Sequence, residues 1–151
     1  MNLILSNTPP DSRQPKTSLG DRQTGPTKLR RVLLVEDDYI AASDAEAALL
    51  DAGFEVIGPA NSAEEAIELA HTERPELIIM DIRLAGPRDG IDAAREIFRS
   101  TGIRSLFATA HSTPEVLRRA EEVAPLGWLS KPYAPHALLN CVRAALAKLE
   151  P

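Results

Sequence analysis

With a single cysteine, Cys141, the 151-residue chain cannot close an internal disulfide. Its stability must come from packing, and a reducing compartment suits it. Cys141 itself falls in an apolar helical pattern and reads as a plain core thiol. Long apolar runs are missing too. None approaches the roughly 20 residues needed to cross a bilayer. The N-terminal Leu3-Ile4-Leu5 is too short for a signal peptide and has no basic flank. Basic clusters are scarce: Arg30-Arg31 and Arg118-Arg119 stand against a formal net charge of −5. That balance disfavours non-specific attachment to nucleic acid or to an anionic membrane. There are no internal repeats. These absences together predict a cytoplasmic protein with no nucleic-acid or membrane partner.

What is present is enough for one domain. Apolar residues make up 44% and charged residues 26% of the chain, a globular balance. Residues 1–28 are rich in Pro, Ser, Thr, Gly and charge, without periodicity, and read as a disordered tail. Residues 29–151 read as the folded domain. In it, short apolar runs at 31–36, 54–60, 76–81, 104–109 and 127–130 suit strands buried on both faces. Between them lie helical patterns. The first carries Ala41, Ala45, Ala48, Leu49 and Ala52 on one face and stops at Gly53. The second opens on Ser62 with Glu65 three residues on, which predicts a capping box; the third carries Ile91, Ala94, Ile97 and Phe98. The fourth opens on Ser112 with Glu115 three residues on, again a capping-box pattern, with Pro114 near the first helical position. The fifth is apolar on much of its circumference. Strand and helix therefore alternate five times, which predicts an α/β fold: a five-stranded parallel sheet with helices on both faces.

Such sheets collect their functional groups at the carboxyl ends of the strands. Glu36 and Asp37 end the first run, Asp81 the third and Thr109 the fourth; Lys131 lies just past the fifth. Three carboxylates in one place are costly. Each pair repels by ~4 kcal/mol at ~4 Å in an effective dielectric of about 20, so one would protonate unless a cation intervened. With no His or Cys among the donors, Mg²⁺ or Mn²⁺ suits the set better than zinc. Lys131 and Thr109 could then hold phosphoryl oxygens while a carboxylate acts as nucleophile. Asp38, the third acid of the run, reads as a helix cap instead.

The motifs VEDD, IIMDIRL, FATA and SKPY, in that order and on those elements, resemble a response-regulator receiver domain of two-component signalling. The resemblance covers about residues 29–149. It implies the flavodoxin-like (βα)5 receiver fold with strand order 2-1-3-4-5. It also implies Asp81 as phospho-acceptor, and Mg²⁺ held by Glu36, Asp37, Asp81 and the backbone carbonyl of Arg83. Thr109 would be the switch hydroxyl, Lys131 its cationic partner and Trp128 the switch aromatic, and a cis peptide would join Lys131 to Pro132. Arg83 and His111 occupy positions that modulate phosphoryl lifetime in the family. The implied donor is a histidine kinase or a histidine phosphotransfer protein. The implied output is a downstream protein meeting the fourth helix, fifth strand and fifth helix; a homodimer is also compatible.

Because about 20 residues follow Lys131, the expectation is a stand-alone receiver, signalling by contact or acting as a phosphate sink rather than as an enzyme. A rival is an aspartate-nucleophile phosphohydrolase, but Arg83 stands where a general acid is needed and cannot give up a proton there. A flavin module of flavodoxin type is disfavoured by acids in the place of its phosphate loop. A receiver-like scaffold that takes no phosphate is the third alternative.

Overall fold

In the computed structural model, residues 28–151 are described. The expected tail, 1–28, lies outside the described residues except for Lys28. The chain runs β1 (Arg31–Val35), α1 (Tyr39–Asp51), β2 (Glu55–Ala60), α2 (Ala63–Glu73), β3 (Leu77–Asp81), α3 (Gly90–Thr101), β4 (Ser105–Thr109), α4 (Pro114–Glu121), β5 (Gly127–Ser130) and α5 (Pro135–Leu149). The five strands are parallel and ordered β2-β1-β3-β4-β5. The fold class and strand order expected from the sequence are therefore those observed.

Side chains of a strand alternate between faces, so each apolar run serves two cores. Leu33, Val35, Ile78, Met80 and Phe107 point to one side, where α2, α3 and α4 supply Ala66, Ala70, Ile91, Ile97 and Ala120. Val32, Leu34, Leu77, Ile79 and Leu106 point to the other, where α1 and α5 supply Ala45, Leu49, Leu138, Val142 and Leu146. This is why the runs read as continuously apolar. No helix among the described residues is long and apolar enough to cross a membrane.

The helix starts refine the sequence reading. Ser62 caps α2 by accepting from the Glu65 N–H at 3.2 Å, but Glu65 returns its carboxylate to the Asn61 N–H. Only half of the expected box forms. On α4 the cap is Thr113, not Ser112, and it accepts from Val116, so Glu115 has no part in it. Pro114 at the first helical position sets that register. A full reciprocal box occurs where none was expected, between Asp89 and Asp92 at the start of α3. On α1 the buried face is Ala42, Ala45 and Leu49, with Ala41 half-buried.

Candidate functional site

The strand register brings the predicted groups to one edge. Val35 lies beside Met80, Asp81 beside Ala108, and Thr109 beside Ser130. Glu36 follows β1 rather than ending it, and its N–H is tied to the Ala60 carbonyl at 2.8 Å. That tie depends on a shift of register between β1 and β2 at Leu33–Val35. The shift runs through Gly58, whose φ is +91° and where a Cβ would lie 2.8 Å from the Leu34 carbonyl oxygen. Only glycine fits there. On the far side the Lys131 N–H donates to the Thr109 carbonyl at 2.9 Å, which carries β5 one residue further toward the edge. The Lys131–Pro132 peptide is cis, as the resemblance implied; Gly58–Pro59 is cis as well.

These elements form an open pocket of about 230 Å³ lined by Glu36, Asp37, Asp38, Asp81, Arg83, Thr109, Ala110 and Lys131. Glu36 and Asp81 are each 4% exposed, while Asp37 is exposed. One carboxylate oxygen from each of Glu36, Asp37 and Asp81 lies within 4.8 Å of the other two. The Lys131 ammonium donates to Glu36 Oε2 at 2.7 Å and to Asp81 Oδ2 at 3.2 Å. The second Asp81 oxygen accepts from the Arg83 N–H at 3.3 Å, and the second Glu36 oxygen from the Asp38 N–H at 3.2 Å. Asp38, also on the pocket wall, caps α1, accepting from the Ala41 N–H at 2.9 Å. Its role is thus separate from that of its two neighbours.

Charge in this pocket is out of balance. Burial, and then the neighbouring Glu36, push the Asp81 carboxyl up to about 7, although Lys131 pulls the other way. Burial works against the Lys131 charge, but its bonds to Glu36 and Asp81 outweigh that and raise its pKa. One ammonium thus does not offset three carboxylates. An all-oxygen donor set with surplus negative charge fits a hard divalent cation such as Mg²⁺ or Mn²⁺.

The remaining predicted residues divide between the pocket wall and its surroundings. Thr109 lines it, but its hydroxyl donates to the His111 carbonyl at 3.2 Å and accepts from the His111 N–H at 3.1 Å. The exposed His111 side chain is not among the lining groups. Trp128 is half-buried one strand over and stacks on Phe107, with ring centroids 5.2 Å apart. Sequence reasoning missed Gly90. A Cβ there would lie 1.9 Å from the Asp81 carbonyl oxygen and 3.0 Å from Ile82 Cα. The Gly90 N–H also donates to the Ile82 carbonyl at 2.7 Å. The readable signal was the Asp89-Gly90-x-Asp92 pattern of a capped helix start.

Comparison with known proteins agrees with this geometry. A family model described as the response regulator receiver domain matches residues 32–143. The transcriptional regulatory protein PdtaR of Mycobacterium tuberculosis is 34% identical over 131 residues, 83% of this chain and 63% of the relative. The phyllosphere-induced regulator PhyR of Methylorubrum extorquens is 33% identical over 116 residues, 76% of this chain and 43% of the relative. The chain thus spans less than two thirds of the length of either relative. Among solved structures, the receiver domain of a modulated diguanylate cyclase from Desulfovibrio desulfuricans superposes with a TM-score of 0.73 at 33% identity, covering 80% of this chain and 96% of that one. The chemotaxis protein CheY4 of Vibrio cholerae gives 0.73 at 26% identity, covering 78% and 99%. Sequence, fold and strand-edge geometry converge: the chain belongs to the response-regulator receiver family.

Proposed function

We propose that the chain is a phosphorylation switch whose acceptor is Asp81, within a receiver unit spanning residues 29–151. The supporting observation is the Lys131 ammonium held between Glu36 and Asp81 at 2.7 and 3.2 Å, beside three carboxylates that share one pocket. An Asp81 oxygen attacks the phosphorus of a phosphohistidine on a histidine kinase or histidine phosphotransfer protein. A P–O bond forms, the P–N bond breaks, and the electron pair leaves with the imidazole nitrogen. Lys131, already within reach of Asp81, holds the incoming phosphoryl oxygens. Thr109 binds another once its hydroxyl leaves His111. Glu36, Asp37, Asp81 and the Arg83 carbonyl would hold Mg²⁺, which when bound supplies positive charge against the phosphoryl oxygens.

Tyr39 and Ile40, 84% and 73% exposed at the start of α1, give the rim beside Asp37 an apolar surface for the donor protein. Arg83 reaches the mouth of the pocket and His111 sits on the β4–α4 loop, so both modulate the lifetime of the acyl phosphate. Trp128 reports and transmits the switch through its stacking on Phe107. Output passes through α4, β5 and α5 to a downstream protein or to a second copy, as a shift between two existing states. This is a switch rather than a turnover enzyme. Acetyl phosphate with Mg²⁺ should add one phosphoryl mass to the parent and none to Asp81→Asn. No uptake by the parent, or equal uptake by both, would sink the reading.

A further inference from the structure

α4 is lightly packed. Ala120 is its one fully buried residue, Val116 is half-buried and Leu117 is 39% exposed. Beyond the apolar contact of Ala120 and Val116, what fastens it to α3 is charge. Arg119 on α4 forks onto Asp89, Nη1 to Oδ2 at 2.7 Å and Nη2 to Oδ1 at 3.1 Å, with a further bond to Asp92 at 3.3 Å. Glu122, just past α4, approaches Arg95 and Arg99 only at 3.5 and 3.9 Å, so the grip lies with Arg119. The Arg119 and Asp89 side chains are about one-third exposed, where a two-pronged guanidinium–carboxylate pair keeps much of its strength. Burial would raise the Asp89 carboxyl, yet the bonds from Arg119 and from the Asp92 backbone hold it below its usual range.

The position of this pair links it to the acceptor. Asp89 caps α3 and immediately precedes Gly90, which packs on the Asp81 carbonyl. At the other end only Ala110, His111 and Ser112 separate Thr109 from Thr113, the cap of α4. For Thr109 to leave His111 and face Asp81, that short connection must move, and α4 with it.

We propose that the Arg119–Asp89 fork is a latch that holds α4 in the unphosphorylated arrangement, making Arg119 a positioning residue that sets how readily Thr109 reaches a phosphoryl group. The inference rests on the reading of Asp81 as acceptor. Opening the latch costs the switched state and not the resting state, so removing it moves the equilibrium toward the switched state.

The test is beryllofluoride binding, with Mg²⁺, to the parent, Arg119→Gln, Asp89→Asn and the double variant. Asp89→Asn keeps the cap while losing the charge. Each single variant should bind about five-fold more tightly than the parent, as expected for about one charge-assisted pair. The double variant should bind no more tightly than Arg119→Gln, because Asp89 acts on α4 only through Arg119. The advantage over the parent should shrink, without vanishing, as salt is raised from about 0.1 M to about 1 M, since a part-buried contact pair is screened only in part. A residue of merely structural value would give neither the non-additivity nor the salt dependence. Equal binding by the parent and both single variants, or additive effects in the double, would overturn the latch alone. Failure of the parent to bind would overturn the reading of Asp81, and the latch with it.

Discussion

Without divalent cation, Asp81→Asn is expected to be more stable than the parent at pH 8 by about 2 kcal/mol, although it removes the proposed acceptor of the phosphoryl group. The Asp81 carboxyl is raised from 3.8 to about 7, with burial the largest cause and Glu36 the next. A group raised on folding stabilises the folded state fully only below its unfolded pKa, and that contribution is lost as pH rises through the folded value. Below about pH 4 the parent and the variant should therefore differ least. Between about 4 and 7 the parent falls behind, and above about 7 the gap is constant. Three pKa units set a ceiling of ~4 kcal/mol; the pocket opens to water, which brings the expected gap to about half of that. Lys131 keeps Glu36 as a partner in the variant, at 2.7 Å, so no new unpaired charge appears. Urea titrations of both proteins in chelator across this pH range measure the gap directly. A variant less stable than the parent at pH 8 would mean that the three carboxylates are not in conflict.

Gly90→Ala is expected to cost about 3 kcal/mol or more of folding stability. The added methyl carbon would stand 1.9 Å from the Asp81 carbonyl oxygen and 2.9 Å from its carbon. These are backbone atoms at the end of the central strand, between β1 and β4, and cannot swing aside as a side chain can. The strain of overpacking is usually 1–3 kcal/mol where side chains yield; here either α3 or the acceptor must retreat. Retreat of the acceptor also displaces the Asp81 carboxylate from Lys131. A misplacement of about 1 Å in a reacting group costs about 100-fold in rate. The variant should therefore lose phosphoryl uptake from acetyl phosphate even under conditions where it remains folded. Denaturant midpoints and initial uptake rates give the two numbers separately. Parent-like values for both would show that Gly90 does not press on the acceptor.

The site was legible because of winding, not because of any single motif. Parallel βα units bring all strand ends to one edge, so residues separated by 95 positions, such as Glu36 and Lys131, could be placed together from the strand runs alone. The role of Asp38 was legible for a local reason, since it precedes a helix and its donor, the Ala41 N–H, lies three residues on. Other features depend on contacts that no local pattern encodes. Gly90 reads as a loop glycine until the Asp81 carbonyl is seen against it. Arg119 reads as a solvated helix residue until Asp89, 30 residues away, is seen beneath it. The face of α1 was off by one residue at its start because Ala41, Ala42, Ala45, Ala47 and Ala48 give the pattern no contrast between inside and outside. The α4 cap was misplaced because Ser112 and Thr113 both offer a hydroxyl, and only the register set by Pro114 decides between them.

The most direct measurement is the stability gained on adding Mg²⁺, compared among the parent, Glu36→Gln, Asp37→Asn and Asp81→Asn. A cation that binds the folded chain alone stabilises it by about 2.7 kcal/mol at about 100 times its dissociation constant. A gain of that order is expected in the parent, with most of it lost in each variant, since each removes one carboxylate from the shared pocket. An equal gain in all four proteins, or none in the parent, would contradict a shared cation site.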